Sequence, residues 1–212
     1  MKKAQLSCMG LLDIIDDMTA ERFCGGWQKW YGDWWKRTAG CGPTVVSTIL
    51  AYIERRKAAS SCEPMPIGEF IARMNEMWEY VTPGVSGIPS TEKLISGAQK
   101  YIDAKNLPIR LEALDIPGKR EERPDGNAVA AFLEQALLAD APVAFLCLDN
   151  GEEKKLDDWH WVTLVSLEYG EEGVFAEVTD EGHHFRVDLE LWRKTTKRGG
   201  GFVRFMPLGE NT

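Results

Sequence analysis

The sequence predicts an α+β protein in which a mostly helical N-terminal half packs on a mostly antiparallel C-terminal sheet. Three observations carry this expectation. Before residue 107, apolar residues recur at the spacing of a buried helix face in three stretches. Beyond it, the pattern turns to short runs rich in β-branched and aromatic residues, bounded by Gly, Pro and Asp. Helices grouped ahead of strands, without regular alternation, are the order of an α+β fold. A single domain is expected over residues 1–212, helical over about 1–106 and sheet-forming over about 107–212.

In chain order, Met1-Lys2-Lys3 mimics a signal-peptide start, but Asp13, Asp16 and Asp17 interrupt the apolar stretch that follows. With no run of bilayer length either, the expectation is a cytoplasmic protein that does not enter a membrane. Residues 23–35 carry Trp27, Trp30, Trp34 and Trp35 without periodicity, and are read as a loop folded against the body or lining a cleft. A loop through Thr38-Ala39-Gly40 then runs into a helix. Pro43 suits its first turn, Val45, Val46, Ile49, Leu50 and Ile53 form one apolar face, and Arg55, Arg56 and Lys57 complement the dipole at its end. Two more helices are expected over about 67–80 and 91–106, around a turn-dense stretch at 82–89. Residues 109–114 alternate as a strand, and 126–139 form a helix that Ala141-Pro142 ends. Strands follow at 143–148, 161–169, 174–179 and 201–205, with a short helix from about Leu189 between the last two.

Composition narrows the function. A net charge of −8 disfavours a nucleic-acid partner, and the cluster Arg193, Lys194, Lys197 and Arg198 reads as the solvated end of a short helix. Five cysteines, Cys8, Cys24, Cys41, Cys62 and Cys147, are odd in number and irregularly spaced, which fits reduced thiols better than a disulfide framework. No cysteine or histidine stands at zinc-ligand spacing, so neither a metal nor another cofactor is expected.

Cys41 is the candidate nucleophile. A thiol at a helix N-terminus sits among unpaired N–H groups at the positive end of the dipole, both of which favour thiolate. Gly40 and Gly42 beside it fit a close backbone approach to a substrate. A core role stays open, because a free cysteine is commonly a small buried hydrophobe. His160 opens an apolar strand between Trp159 and Trp161, where a general base would be partly desolvated and held in orientation. With a hairpin turn at Gly170-Glu171-Glu172-Gly173, His160 falls opposite residues 180 to 183, a window that contains Asp180. Asp180 would then take the second imidazole N–H. His183 and His184 are the rival bases, though adjacent strand residues face opposite ways and at most one could serve. Asp157 and Asp158 are read as loop charges.

Taken together, Gly40-Cys41-Gly42-Pro43-Thr44, His160-Trp161-Val162-Thr163 and Val178-Thr179-Asp180, in that order, resemble the C39-like family of papain-type cysteine peptidases over about residues 27–207. The resemblance implies a papain-like cysteine proteinase fold in which Cys41 attacks a carbonyl carbon, His160 shuttles the proton and Asp180 orients the ring. It also implies an oxyanion-hole glutamine a few residues before the cysteine. Here Trp35 stands six residues before Cys41, and Gln28 is the nearby glutamine that an inserted loop would bring to the site. The expected activity is a cysteine peptidase or related amide hydrolase on a peptide or other amide, without cofactor or metal. An acyltransferase with the same triad, or a papain-fold binding module whose cleft is filled by the tryptophan-rich loop, are the alternatives.

Overall fold

Polar side chains at the helix starts catch amides that a helix leaves unpaired. In the computed structural model, which describes residues 1–58 and 62–208, Asp33, Ser90, Asp125 and Asp188 each accept from an N–H three residues on, at 2.8 to 3.2 Å. From the N-terminus, β1 (Lys2–Gln5), a 3₁₀ turn (Met9–Leu12), β2 (Asp13–Ile15) and β3 (Arg22–Cys24) precede a second 3₁₀ turn (Gln28–Trp30) and α1 (Trp34–Ala39). Next come α2 (Cys41–Ala58), β4 (Met65–Pro66), α3 (Ile67–Trp78) and α4 (Thr91–Ala104). The second half holds β5 (Ile109–Ile116), a 3₁₀ turn (Arg120–Glu122), α5 (Gly126–Leu138), β6 (Val143–Cys147) and β7 (His160–Gly170). It closes with β8 (Gly173–Asp180), β9 (His183–Asp188), α6 (Leu189–Thr195) and β10 (Gly200–Pro207).

The α+β layout is as expected, with an antiparallel main sheet in the order β5-β10-β6-β7-β8-β9. Its long strand β7 shares one edge between two partners: β6 pairs with residues 160–164 and β1 with residues 166–169. The main departure is in the first half, where β1 crosses to this sheet and β3-β2-β4 form a small second sheet. These strands have two to four residues, too few for a period to show. The polar strand β9, likewise absent from the expected elements, is exposed at His183 and His184.

Every residue of α2 from Gly42 to Ile53 is buried, and the helix packs on β6, β7 and α3. One apolar cluster runs from Val46, Ile49 and Leu50 of α2 to Phe145 of β6, Leu164 of β7 and Phe202 of β10. A second cluster, around Tyr31, Phe70, Met74 and Trp78, anchors the aromatic segment. Trp30 meets Phe23 and Phe70 edge-on there, at centroid distances of 5.1 and 6.0 Å.

Two expectations from composition are corrected. Cys8 and Cys62 form a disulfide with a Cα separation of 6.6 Å, tying the segment after β1 to the segment after α2. Their sequence separation of 54 hid this pairing, which only the return of the chain past α2 creates. The basic cluster is also more than a solvated helix end. Arg193 is largely buried, bound to both oxygens of Glu190 and to the Pro124 carbonyl, and Arg198 lies 5.3 Å over the Trp159 ring. Among the described residues, no helix is long and apolar enough to cross a membrane.

Candidate active site

Cys41 is the first residue of α2 and lies half-buried. The segment ahead of it, expected as loop, is helical: Asp33 caps α1, which ends at Ala39, so Gly40 alone turns the chain from one helix to the next. A Cβ on Gly40 would lie 2.3 Å from the Lys36 carbonyl oxygen and 2.6 Å from the Tyr31 ring, and one on Gly42 would lie 2.6 Å from Ile88. Gly40 is therefore required by the protein's packing on itself, since a side chain there would strike backbone, whereas at Gly42 it would meet only the end of the Ile88 side chain. Tyr31 is fully buried and donates to the Met74 carbonyl at 3.0 Å, while Arg37 Nε donates to the Tyr31 carbonyl at 2.6 Å. The backbone before the thiol is thus held from both sides.

His160 begins β7, and its Nε2 lies 2.8 Å from Asp180 Oδ1 at the end of β8. A β-bulge brings this pair to one face. From the turn, β7 and β8 pair as Gly170↔Gly173 down to Ser166↔Glu177, and then shift at Val165 to Leu164↔Val178 and Thr163↔Thr179. Without the extra residue, Asp180 would pair with Thr163 and share the face of Trp161. With it, Asp180 falls opposite Val162 and shares the face of His160, two residues along. The Val165 carbonyl is not orphaned by the bulge, because Leu6 N–H donates to it at 3.2 Å.

The end of β8 is itself clamped. Glu181 and Gly182, at φ 49° and 80°, make the tight turn into β9, in which Asp180 pairs with His183. Cys24 N–H donates to the Gly182 carbonyl at 2.6 Å, and a Cβ on Gly182 would strike Phe23 at 2.7 Å.

Since Nε2 faces Asp180, Nδ1 is the imidazole nitrogen left for the Cys41 sulfur, which is near enough to the ring to raise its proton affinity. Burial of the ring works against a positive charge. The hydrogen bonds to Asp180 and Cys41, and the negative charge of both, outweigh it, so His160 holds its proton well above the usual histidine range. The other free thiols lie in contrasting surroundings. Burial pushes Cys24 up to about 12, helped by the charges of Asp13 and Glu177, and burial pushes Cys147 up to about 12 as well.

The structure therefore brings Cys41, His160 and Asp180 together, and leaves His183 and His184 exposed on β9. Gln28 donates from Nε2 to the Arg37 carbonyl at 2.8 Å, and its Oε1 is buried without a partner. Arg37 lies four residues before Cys41, so this amide sits beside the turn that ends in the nucleophile. Asp158 accepts from the Asn150 N–H at 2.7 Å within its loop.

Over Cys41 opens a cleft of about 380 Å³, lined by Trp35, Thr38 and Ala39 on one side and by Val85, Ser86, Gly87 and Trp159 on the other. Trp159, Trp161 and the 82–90 loop were not expected to build it. The loop is fastened by Trp161, whose buried indole N–H donates to the Ile88 carbonyl at 2.8 Å. Trp159 has φ 56°, a left-handed backbone unusual outside glycine, which turns the chain just before His160. A non-glycine residue under such strain beside a candidate base is a site signal invisible in sequence.

No family model matches the chain, and no curated protein does. Among solved structures it is similar to the "Crystal structure of UfSP from C.elegans", with a TM-score of 0.49 and 11% identity over 98% of this chain. The match takes in 34% of that protein, so this chain spans about a third of its length. A likeness of this size leaves the chemistry to be argued from the residues of the chain itself.

Proposed function

We propose that the protein is a cysteine peptidase, or a closely related amide hydrolase, of the C39-like papain type. The observation that carries this reading is one imidazole whose Nε2 is held at 2.8 Å by Asp180, with Cys41, at the start of a buried helix, near enough to the same ring to raise its proton affinity. In the proposed cycle the Cys41 proton passes to His160, and the sulfur attacks the scissile carbonyl carbon. The negative oxygen of the tetrahedral intermediate is met by the Cys41 backbone N–H and by the second amide proton of Gln28, whose first is bound to Arg37. As the C–N bond breaks, His160 protonates the leaving amine. Water then gives a proton to His160 and attacks the thioester, the C–S bond breaks, and the acid leaves with the thiol restored.

Alkylation by iodoacetamide at neutral pH tests the nucleophile. Cys41 should be modified at least about 100-fold faster than Cys24 and Cys147, which burial keeps protonated. Peptide mass spectrometry over time reads the three rates, and equal slow modification of all three would reduce the protein to a papain-fold binding module. For Gln28→Ala, loss of an oxyanion donor is expected to slow acylation about 10²- to 10³-fold. A change below tenfold would remove Gln28 from that role.

A further inference from the structure

The described residues leave eight large apolar side chains exposed, and four of them cluster at Cys41. Trp35, Val85 (97% exposed) and Trp159 line the cleft over the thiol, and Trp34 lies 6.5 Å from Trp35, ring centre to ring centre. Single exposed apolar residues need no explanation, but a group of them beside a candidate nucleophile marks a surface that is covered in use.

Two of these walls, Trp159 and the turn that carries Val85, are held in place by the protein itself. Arg198 covers one face of the Trp159 indole at 5.3 Å, and the φ of 56° fixes the direction in which this residue leaves the chain. Val85 stands at the tip of a turn closed by two backbone hydrogen bonds between Gly84 and Gly87, at 3.0 and 2.9 Å. Its base is fixed through buried Ile88 to Trp161. No charged side chain is among the residues that line the cleft. A carboxylate or ammonium placed there would lose part of its water and find no opposite charge among the lining side chains, with Arg198 and Lys93 only at the rim, whereas an apolar side chain would gain by leaving water.

We propose that this cleft sets substrate specificity: it takes a chain with a bulky apolar side chain beside the scissile carbonyl, gripped between Trp35 and Trp159 under Val85, and rejects charged residues there. The proposal deepens the peptidase reading and rests on it for the orientation of the carbonyl toward Cys41.

Chloromethyl ketones of N-acetylated phenylalanine, lysine and aspartate test it. In each, the Cys41 sulfur displaces chloride and forms a carbon–sulfur bond, so the three probes differ only in the side chain offered to the cleft. Iodoacetamide, which offers none, reports the intrinsic reactivity of the thiol. The phenylalanine probe is expected to modify Cys41 at least about tenfold faster than either charged probe. This ratio should fall at least about fivefold in Trp159→Ala and in Trp35→Ala, and return in Trp159→Phe. A charged probe that reacts as fast, or a ratio unmoved by both alanine variants, overturns the proposal.

A second arm needs no reactive thiol. In Cys41→Ala protein, N-acetylphenylalaninamide should shift the indole N–H resonances of Trp35 and Trp159 at least about tenfold lower in concentration than N-acetyllysinamide. Inert Cys41 together with this selectivity would remove the peptidase chemistry and keep the cleft's preference. Equal shifts by both amides would remove the preference whatever the thiol does.

Discussion

Replacing Cys41 with alanine is expected to abolish acyl transfer while leaving the protein folded. The sulfur is half-buried at the first position of α2, and alanine fits that space with a higher helix propensity. The midpoint of thermal unfolding should therefore move by no more than about 4 °C. Turnover is another matter, because the attacking thiol is gone. Removal of the nucleophile from a triad costs about 10⁴- to 10⁶-fold, and the residual rate owes nothing to a covalent intermediate. With p-nitrophenyl acetate, the wild-type protein should release a burst of p-nitrophenolate equal to the enzyme present and carry an acetyl group on Cys41. The variant should show neither. A burst that survives in Cys41→Ala would place the nucleophile elsewhere, and an unfolded variant would return Cys41 to the core reading.

Much of this site was legible in the sequence, for reasons that differ from residue to residue. Cys41 could be found because Pro43 and the apolar face through Ile53 mark the start of a long buried helix by purely local rules. His160 could be found because an apolar strand starts there. Asp180 was reached by counting back from a turn, and here local rules reach their limit. Regular pairing would have set His160 opposite His183, and only the bulge at Val165 turns Asp180 to the same face. Nothing in the string Leu164-Val165-Ser166 announces that bulge, since its carbonyl is satisfied by Leu6 from the far end of the chain. The same holds for the cleft. Val85 and Trp159 lie far apart in sequence and share one cleft where Trp161 pins the 82–90 loop to β7, and Arg198 reaches the Trp159 ring from a third segment. Short elements escaped for lack of length: α1 has six residues and β4 two, below the span in which a period can be counted.

The second large effect is expected at Asp180, and it separates a catalytic triad from a mere hydrogen bond. Asp180→Ala removes the acceptor that holds His160 at 2.8 Å, leaving the ring without that anchor and the imidazolium without one of its two negative neighbours. Loss of the orienting carboxylate costs a triad about 10²- to 10⁴-fold in kcat/KM. Asp180→Asn should lose less than the alanine variant, because its amide carbonyl can still accept from Nε2–H. An NMR titration of the His160 ring tests the cause directly. In the wild type the proton is held well above the ordinary value of 6.5, and without Asp180 the midpoint should fall, since a hydrogen bond and a negative charge that raise it are gone while the burial that lowers it remains. Stability must follow with a defined sign. A group whose folded-state value is raised stabilises the fold fully below its unfolded value, and that contribution fades as pH rises through the folded value. The stability gap between wild type and Asp180→Ala should thus be widest below the ordinary histidine value of about 6.5 and narrow as pH rises through the raised folded-state value of His160. Were the titration midpoint and the turnover both unchanged in Asp180→Ala, Asp180 would be a turn-forming residue that happens to touch the ring.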